Sequence, residues 1–139
     1  MTTSAIRNCS GTLLALVVAA NGRIDPREVD TLEHLEAFRR IGVPRDRFLL
    51  MAEDALQDMG MHLSRTQWLR WRDRLRIAAL QEQVVEPGRQ LLLCRLAAAV
   101  ITADGRVTCD ERLLYGAMLS TWNISQTMVA HAIMTDPVK

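Results

Sequence analysis

The feature that most constrains this chain is that it aligns with itself. At an offset of 83 residues, "LLALVVAANGRIDPRE" (Leu13 to Glu28) falls on "LAAAVITADGRVTCDE" (Leu96 to Glu111). Leu13/Leu96, Ala15/Ala98, Val17/Val100, Ala20/Ala103, Gly22/Gly105, Arg23/Arg106 and Glu28/Glu111 are identical, and the frame holds to Ile41/Ile124. Ile24 meets Val107 and Asn21 meets Asp104. Two matched units, 13–41 and 96–124, fit a pseudo-symmetric domain rather than a solenoid, which needs at least three repeats.

Each unit reads as helix, turn, helix. An Ala-rich apolar helix ends near Ala20 or Ala103. Gly22 or Gly105 then supplies the left-handed residue that closes many helices. The next helix opens with a capping box: Asp25, Pro26 and Glu28 in the first unit, Thr108 and Glu111 in the second. Ile24 and Val107 precede the caps, where an apolar residue can staple the entering chain. Further helices are expected from Pro44-Arg45 to about Met59, from the Ser64 capping box to about Val84, and from Ser125 to about Met134. Glu86-Pro87-Gly88 marks a break. The expectation is an all-α fold, a seven-helix bundle in one domain over 1–139, with no strand because no apolar–polar alternation persists.

Composition agrees. At 139 residues and 49% hydrophobic with 4% aromatic content, the core must be built from Leu, Ala, Val, Ile and Met. These include strong helix formers. The net charge of +1 gives no global basic field, which argues against nucleic acid as a partner. Three scattered cysteines, Cys9, Cys94 and Cys109, form neither a disulfide framework nor a CxxC metal site and suit a reducing, cytoplasmic setting. The run Leu13 to Ala20 resembles a short signal peptide, but it recurs inside the chain, so core packing explains both copies. No run reaches the ~20 apolar residues of a membrane span.

The second turn resembles a calcium loop, with Asp104, Gly105, Val107 and Glu111 at positions 5, 6, 8 and 12. Positions 1 and 3 are then Val100 and Thr102, and Val17 and Ala19 in the first unit. Neither copy is an EF-hand loop. The helix stop, staple and capping box account for every matched residue except Asp104. Asp104 and Glu111 therefore remain the candidates for a weakly bound divalent metal or an oxyanion; no other cofactor is implied.

The repeated turn on an all-helical frame resembles the TerB-like family of tellurite-resistance proteins, related to the N-terminal domain of the co-chaperone DjlA. The pattern is carried by Ala103, Asp104, Gly105, Val107 and Glu111, and by Ala20, Asn21, Gly22, Ile24 and Glu28. The resemblance implies a seven-helix bundle and a non-catalytic role in tellurite or general stress response. It also implies a protein partner, often in a membrane-associated complex, and acidic turn residues that hold a metal ion or partner. Asn21 replaces the first acid. No His-Pro-Asp occurs, so the chain is no DnaJ co-chaperone.

"RTQWLRWRDRLR" (Arg65 to Arg76) is the most unusual stretch. At 100° per residue, Trp68, Trp71, Leu75, Ala78 and Ala79 share a face, expected to meet the core. Arg65, Arg72 and Arg76 lie largely elsewhere, as a solvated face or a surface for an acidic partner, an anionic membrane or nucleic acid. Asp54, Asp58 and His62, and Asp30 with His34, have same-face spacing and read as surface charge. No phosphate loop, GxSxG or HExxH is present, so no enzyme is expected.

Overall fold

The computed structural model describes residues 3–20, 23–60, 71–103, 105, 107 and 109–138. Among these, eight helices and no strands occur: α1 Thr3–Ala19, α2 Pro26–His34, α3 Ala37–Ile41, α4 Arg45–Gly60, α5 Trp71–Glu82, α6 Pro87–Thr102, α7 Cys109–Trp122 and α8 Gln126–Thr135. The all-α expectation holds.

The two apolar helices of the repeat, α1 and α6, pack on each other at the centre. Leu13 through Ala20 are all buried. A helix end that is apolar all round belongs inside a bundle. Helices α3, α4, α5 and α7 pack on α1; α2, α7 and α8 pack on α6. α1 and α4 approach closely at Gly11, where a Cβ would come within 3.0 Å of the Met51 methyl and 3.1 Å of Val43 Cγ2. A larger residue there would need the Met51 and Val43 side chains to give way.

Eight helices replace the expected seven because the first unit's second helix is broken. Glu36 adopts φ 56° between α2 and α3, and Gly42 at φ 75° closes α3. The cause is tertiary. Ala37 and Ile41 are fully buried, and the Phe38 ring lies 5.2 Å from that of Phe48. A straight continuation of α2 could not deliver those three contacts together.

Of the caps read from the sequence, Ser125 is as read, Asp25 caps a different amide, and Ser64 and Thr108 lie outside the described residues. Ser125 Oγ accepts from Met128 N at 3.1 Å to start α8. Glu86 accepts from Gly88 N and Arg89 N at 2.9 and 2.8 Å, with Pro87 at the first helical position, so the expected break is a helix start. At α2 the Asp25 carboxylate accepts from Arg27 N at 2.9 Å, one residue earlier than a capping box requires. Ile24 is half-buried, whereas Val107 is 41% exposed, so no buried staple forms before α7.

Helix α5 turns a different side to the core than expected. Ile77, Gln81 and Val84 are buried, while Leu75 is 57% exposed and Ala79 is exposed. Of the expected face, Trp68 and the Trp71 side chain lie outside what the structure describes, Ala78 is half-buried, and Leu75 and Ala79 are the residues that turn outward. Buried polar bonding selects the other side: Gln81 Nε2 donates to Met118 O, and Trp122 Nε1 donates to Gln81 O, each at 3.3 Å.

Candidate functional site

The residues singled out by sequence fall in two places. The first is the pair of turns. Gly105 has φ 76°, the left-handed stop expected of it. Gly22, Asp104 and Thr108 lie outside the described residues. Glu28 and Glu111 occupy the same third position of α2 and α7, and both are fully buried. A carboxylate in a first helical turn is favoured by the N-terminal dipole. Asp25 is 2% exposed and meets Arg27 at 3.1 Å and Arg23 at 3.3 Å. The Arg27 guanidinium, and then its backbone N–H, hold the Asp25 carboxyl below the usual carboxylate range against burial. Asp25 is thus a structural clamp across the turn. The described residues hold no group of three or more His, Cys, Asp or Glu side chains placed for a metal ion.

The second is the arginine stretch. Arg65 lies outside the described residues, Arg72 sits in α5, and Arg76 is exposed on α5. Leu75 and Arg76 together point away from the core. Beside them a groove of about 500 Å³ runs between α5 and α7, lined by Ile77, Ala78, Gln81, Leu113, Gly116 and Ala117 among others.

A third place is not among the sequence candidates. Arg95, inside the apolar run "LLLCRLAAAV" of α6, is 8% exposed. Its Nε donates to Asp136 Oδ2 at 2.8 Å. Arg40 Nη1 donates to the same oxygen at 3.0 Å and to Leu35 O at 3.3 Å, and Val138 N donates to Asp136 Oδ1 at 2.9 Å. Burial opposes ionisation of Asp136, but these donors outweigh it and hold its carboxyl below the usual range. Two guanidiniums on one carboxylate leave a formal +1. A lone arginine in an apolar helix is the signal the sequence offers; its partners come from residues far along the chain.

Arg95 borders two cavities. One, of about 590 Å³, is open to solvent between α2, α6 and α8, with Asp30, Thr31, His34, Leu35, Ala98, Ala99, Thr102, Ala103 and Ile133. The expected surface pair Asp30 and His34 therefore lines a groove; Asp30 lies 3.9 Å from Arg45, which also pairs with Glu33. The other, about 270 Å³, adds Arg40, His131, Thr135 and Asp136. Asp54 is exposed, and His62 lies outside the described residues. Of the described cysteines, Cys94 is buried, and burial pushes its thiol up to about 12, which disfavours the thiolate.

No family model, curated protein or solved structure matches this chain. No helix among the described residues is long and apolar enough to cross a membrane.

Proposed function

We propose that this chain is a non-catalytic, TerB-like binding module of the cytoplasm that acts through a protein partner in tellurite or general stress response. In this reading the helices follow a seven-helix plan of two pseudo-symmetric units, with α2 and α3 as one helix broken in two.

The observation that supports a partner is the outward face of α5. Leu75 is 57% exposed beside exposed Arg76, opposite the buried Ile77, Gln81 and Val84. An exposed leucine next to an exposed arginine offers apolar contact with a positive rim, which fits an acidic, amphipathic segment of another protein. Such a partner can itself belong to a membrane-associated complex.

The test is affinity capture from the source cell with the whole chain and with Leu75→Glu/Arg76→Glu, each with and without divalent ions. An acidic protein retained by the first and lost by the second supports the reading. An identical set from both ends it.

A further inference from the structure

We infer that the groove between α2, α6 and α8 is a binding site for a small amphiphilic carboxylate, an acyl or aryl acid whose head group sits on Arg95. The inference does not use the α5 surface.

Arg95 carries the argument. Its side chain is 8% exposed, and Nε is committed to Asp136. The two Nη groups have no hydrogen-bond partner among the described residues, and Arg95 lines the groove. The end of the guanidinium fork is not among the buried polar atoms left without a partner, so it meets solvent and is open to a ligand's oxygens. The charge is unmet too, because Arg40 and Arg95 share the single carboxylate of Asp136. With Nε taken, the end of the fork presents Nη1 and Nη2 side by side. That is the arrangement a carboxylate accepts with both oxygens.

The rest of the groove selects the body of the ligand. Its walls include Leu35, Ala98, Ala99, Ala103 and Ile133. The two threonine hydroxyls of the groove have no hydrogen left to donate to a peptide carbonyl. Thr31 Oγ1 donates to Arg27 O at 2.8 Å, and Thr102 Oγ1 donates to Ala98 O at 2.8 Å. A peptide would bury amides with few partners here, whereas an alkyl or aryl chain asks for none. Asp30 is 73% exposed and faces Arg45, so it stands at the solvent rim rather than at the head-group position. The volume, about 590 Å³, lies within the ordinary range for small-ligand sites.

Calorimetry on the whole chain tests this with octanoate, octan-1-ol, octylammonium and acetate. Octanoate should bind at least about tenfold more tightly than octanol or acetate, one charge-assisted hydrogen bond's worth. Octylammonium should not bind. Ala99→Leu fills the groove without touching Arg95 or Asp136 and should weaken octanoate about tenfold or more, with the unfolding temperature preserved. Arg95→Met should erase the preference of octanoate over octanol, a ratio readable even in a less stable protein. Equal binding of octanoate and octanol by the native chain would overturn the assignment, as would octanoate binding untouched by Ala99→Leu. Tighter binding of a short peptide acid than of octanoate would replace the acyl ligand with a protein C-terminus.

Discussion

The helices after the two repeated turns begin alike and end differently. In the first unit α2 stops at His34 and α3 restarts at Ala37; in the second, α7 runs unbroken from Cys109 to Trp122. Glu36, which carries the left-handed kink, aligns with Leu119, which is helical and half-buried. Along α7, Leu114, Tyr115 and Met118 are buried from one continuous helix. After the kink, Ala37 and Ile41 are buried instead, and Arg40 reaches back to Leu35 O and across to Asp136. Asp136 lies outside both repeats. What the two units share is the start of the second helix, with a buried glutamate at its third position. The path of the helix beyond the turn is decided by where distant residues offer contacts.

The strongest way to break the comparison is to remove that distant contact. Asp136→Ala leaves two guanidiniums without their shared carboxylate and should cost about 3 kcal/mol, the lower end for orphaning a buried ion partner. Urea unfolding measures it. Amide exchange should quicken at Gly42 and Val43, which close α3 on Phe38 O, more than along α7. A loss under about 1 kcal/mol would show that the break is held by apolar packing alone. The pH dependence has a definite sign. Asp136 and Asp25 are both held below the ordinary aspartate value of 3.8. Their stabilisation is present above 3.8 and fades as pH falls through the lower folded values. Asp136→Asn should flatten part of that acid loss.

Next comes the turn itself. A Cβ on Gly105 would meet nothing within 4 Å, so Gly105→Ala probes the positive φ alone. It should destabilise by about 1 kcal/mol. Gly22→Ala is the sharpening arm: an equal loss extends the left-handed stop to the first unit, and no loss confines it to the second.

Sequence alone reaches the helices because each is announced locally. Pro26 and Pro87 sit at first helical positions, Ser125 caps α8, and the Leu13–Ala20 run marks a central helix. The kink is not legible, since nothing about Glu36 favours a left-handed backbone; the strain is imposed by Phe38 on Phe48 and by Arg40 on Asp136. The face of α5 misleads at Leu75 and Ala79, because the burial of Gln81 on the other side depends on Met118 and Trp122 in α7. The Arg95 site is half legible. The arginine stands out in its run, but its partner Asp136 is 41 residues after it, and Arg40, which shares that carboxylate, is 55 before.

A smaller effect separates imposed strain from preference. Glu36→Gly should relieve a left-handed penalty of about 1–2 kcal/mol, offset by about 0.5–1 kcal/mol of extra chain entropy for glycine. The exposed Glu36–Arg39 pair at 3.1 Å contributes little. The net expectation in urea unfolding is a gain of a few tenths of a kcal/mol. A loss above about 1 kcal/mol would mean that the Glu36 side chain, not its backbone, holds the junction.

The smallest expected effect concerns divalent ions at the second turn, where Asp104 stands against Asn21 in the first. Glu111, the other candidate ligand, is fully buried at the third position of α7, and Asp110 beside it is 5% exposed. Glu111 already has an interaction of its own. Tight calcium sites gather about 6–8 oxygens, a number that Asp104 and one buried glutamate do not approach. Binding should then be no better than roughly millimolar. At an ion concentration equal to its dissociation constant, the added stability is RT ln 2, about 0.4 kcal/mol. For a chain of this size that is a rise of roughly 1–2 °C in the unfolding temperature. Calcium, magnesium and manganese should each give no more than this in a thermal melt, and Asp104→Asn should leave the melt unchanged. A rise above about 5 °C at micromolar ion, abolished by Asp104→Asn, would make the aspartate a true ligand and turn the difference between the two units into a functional one.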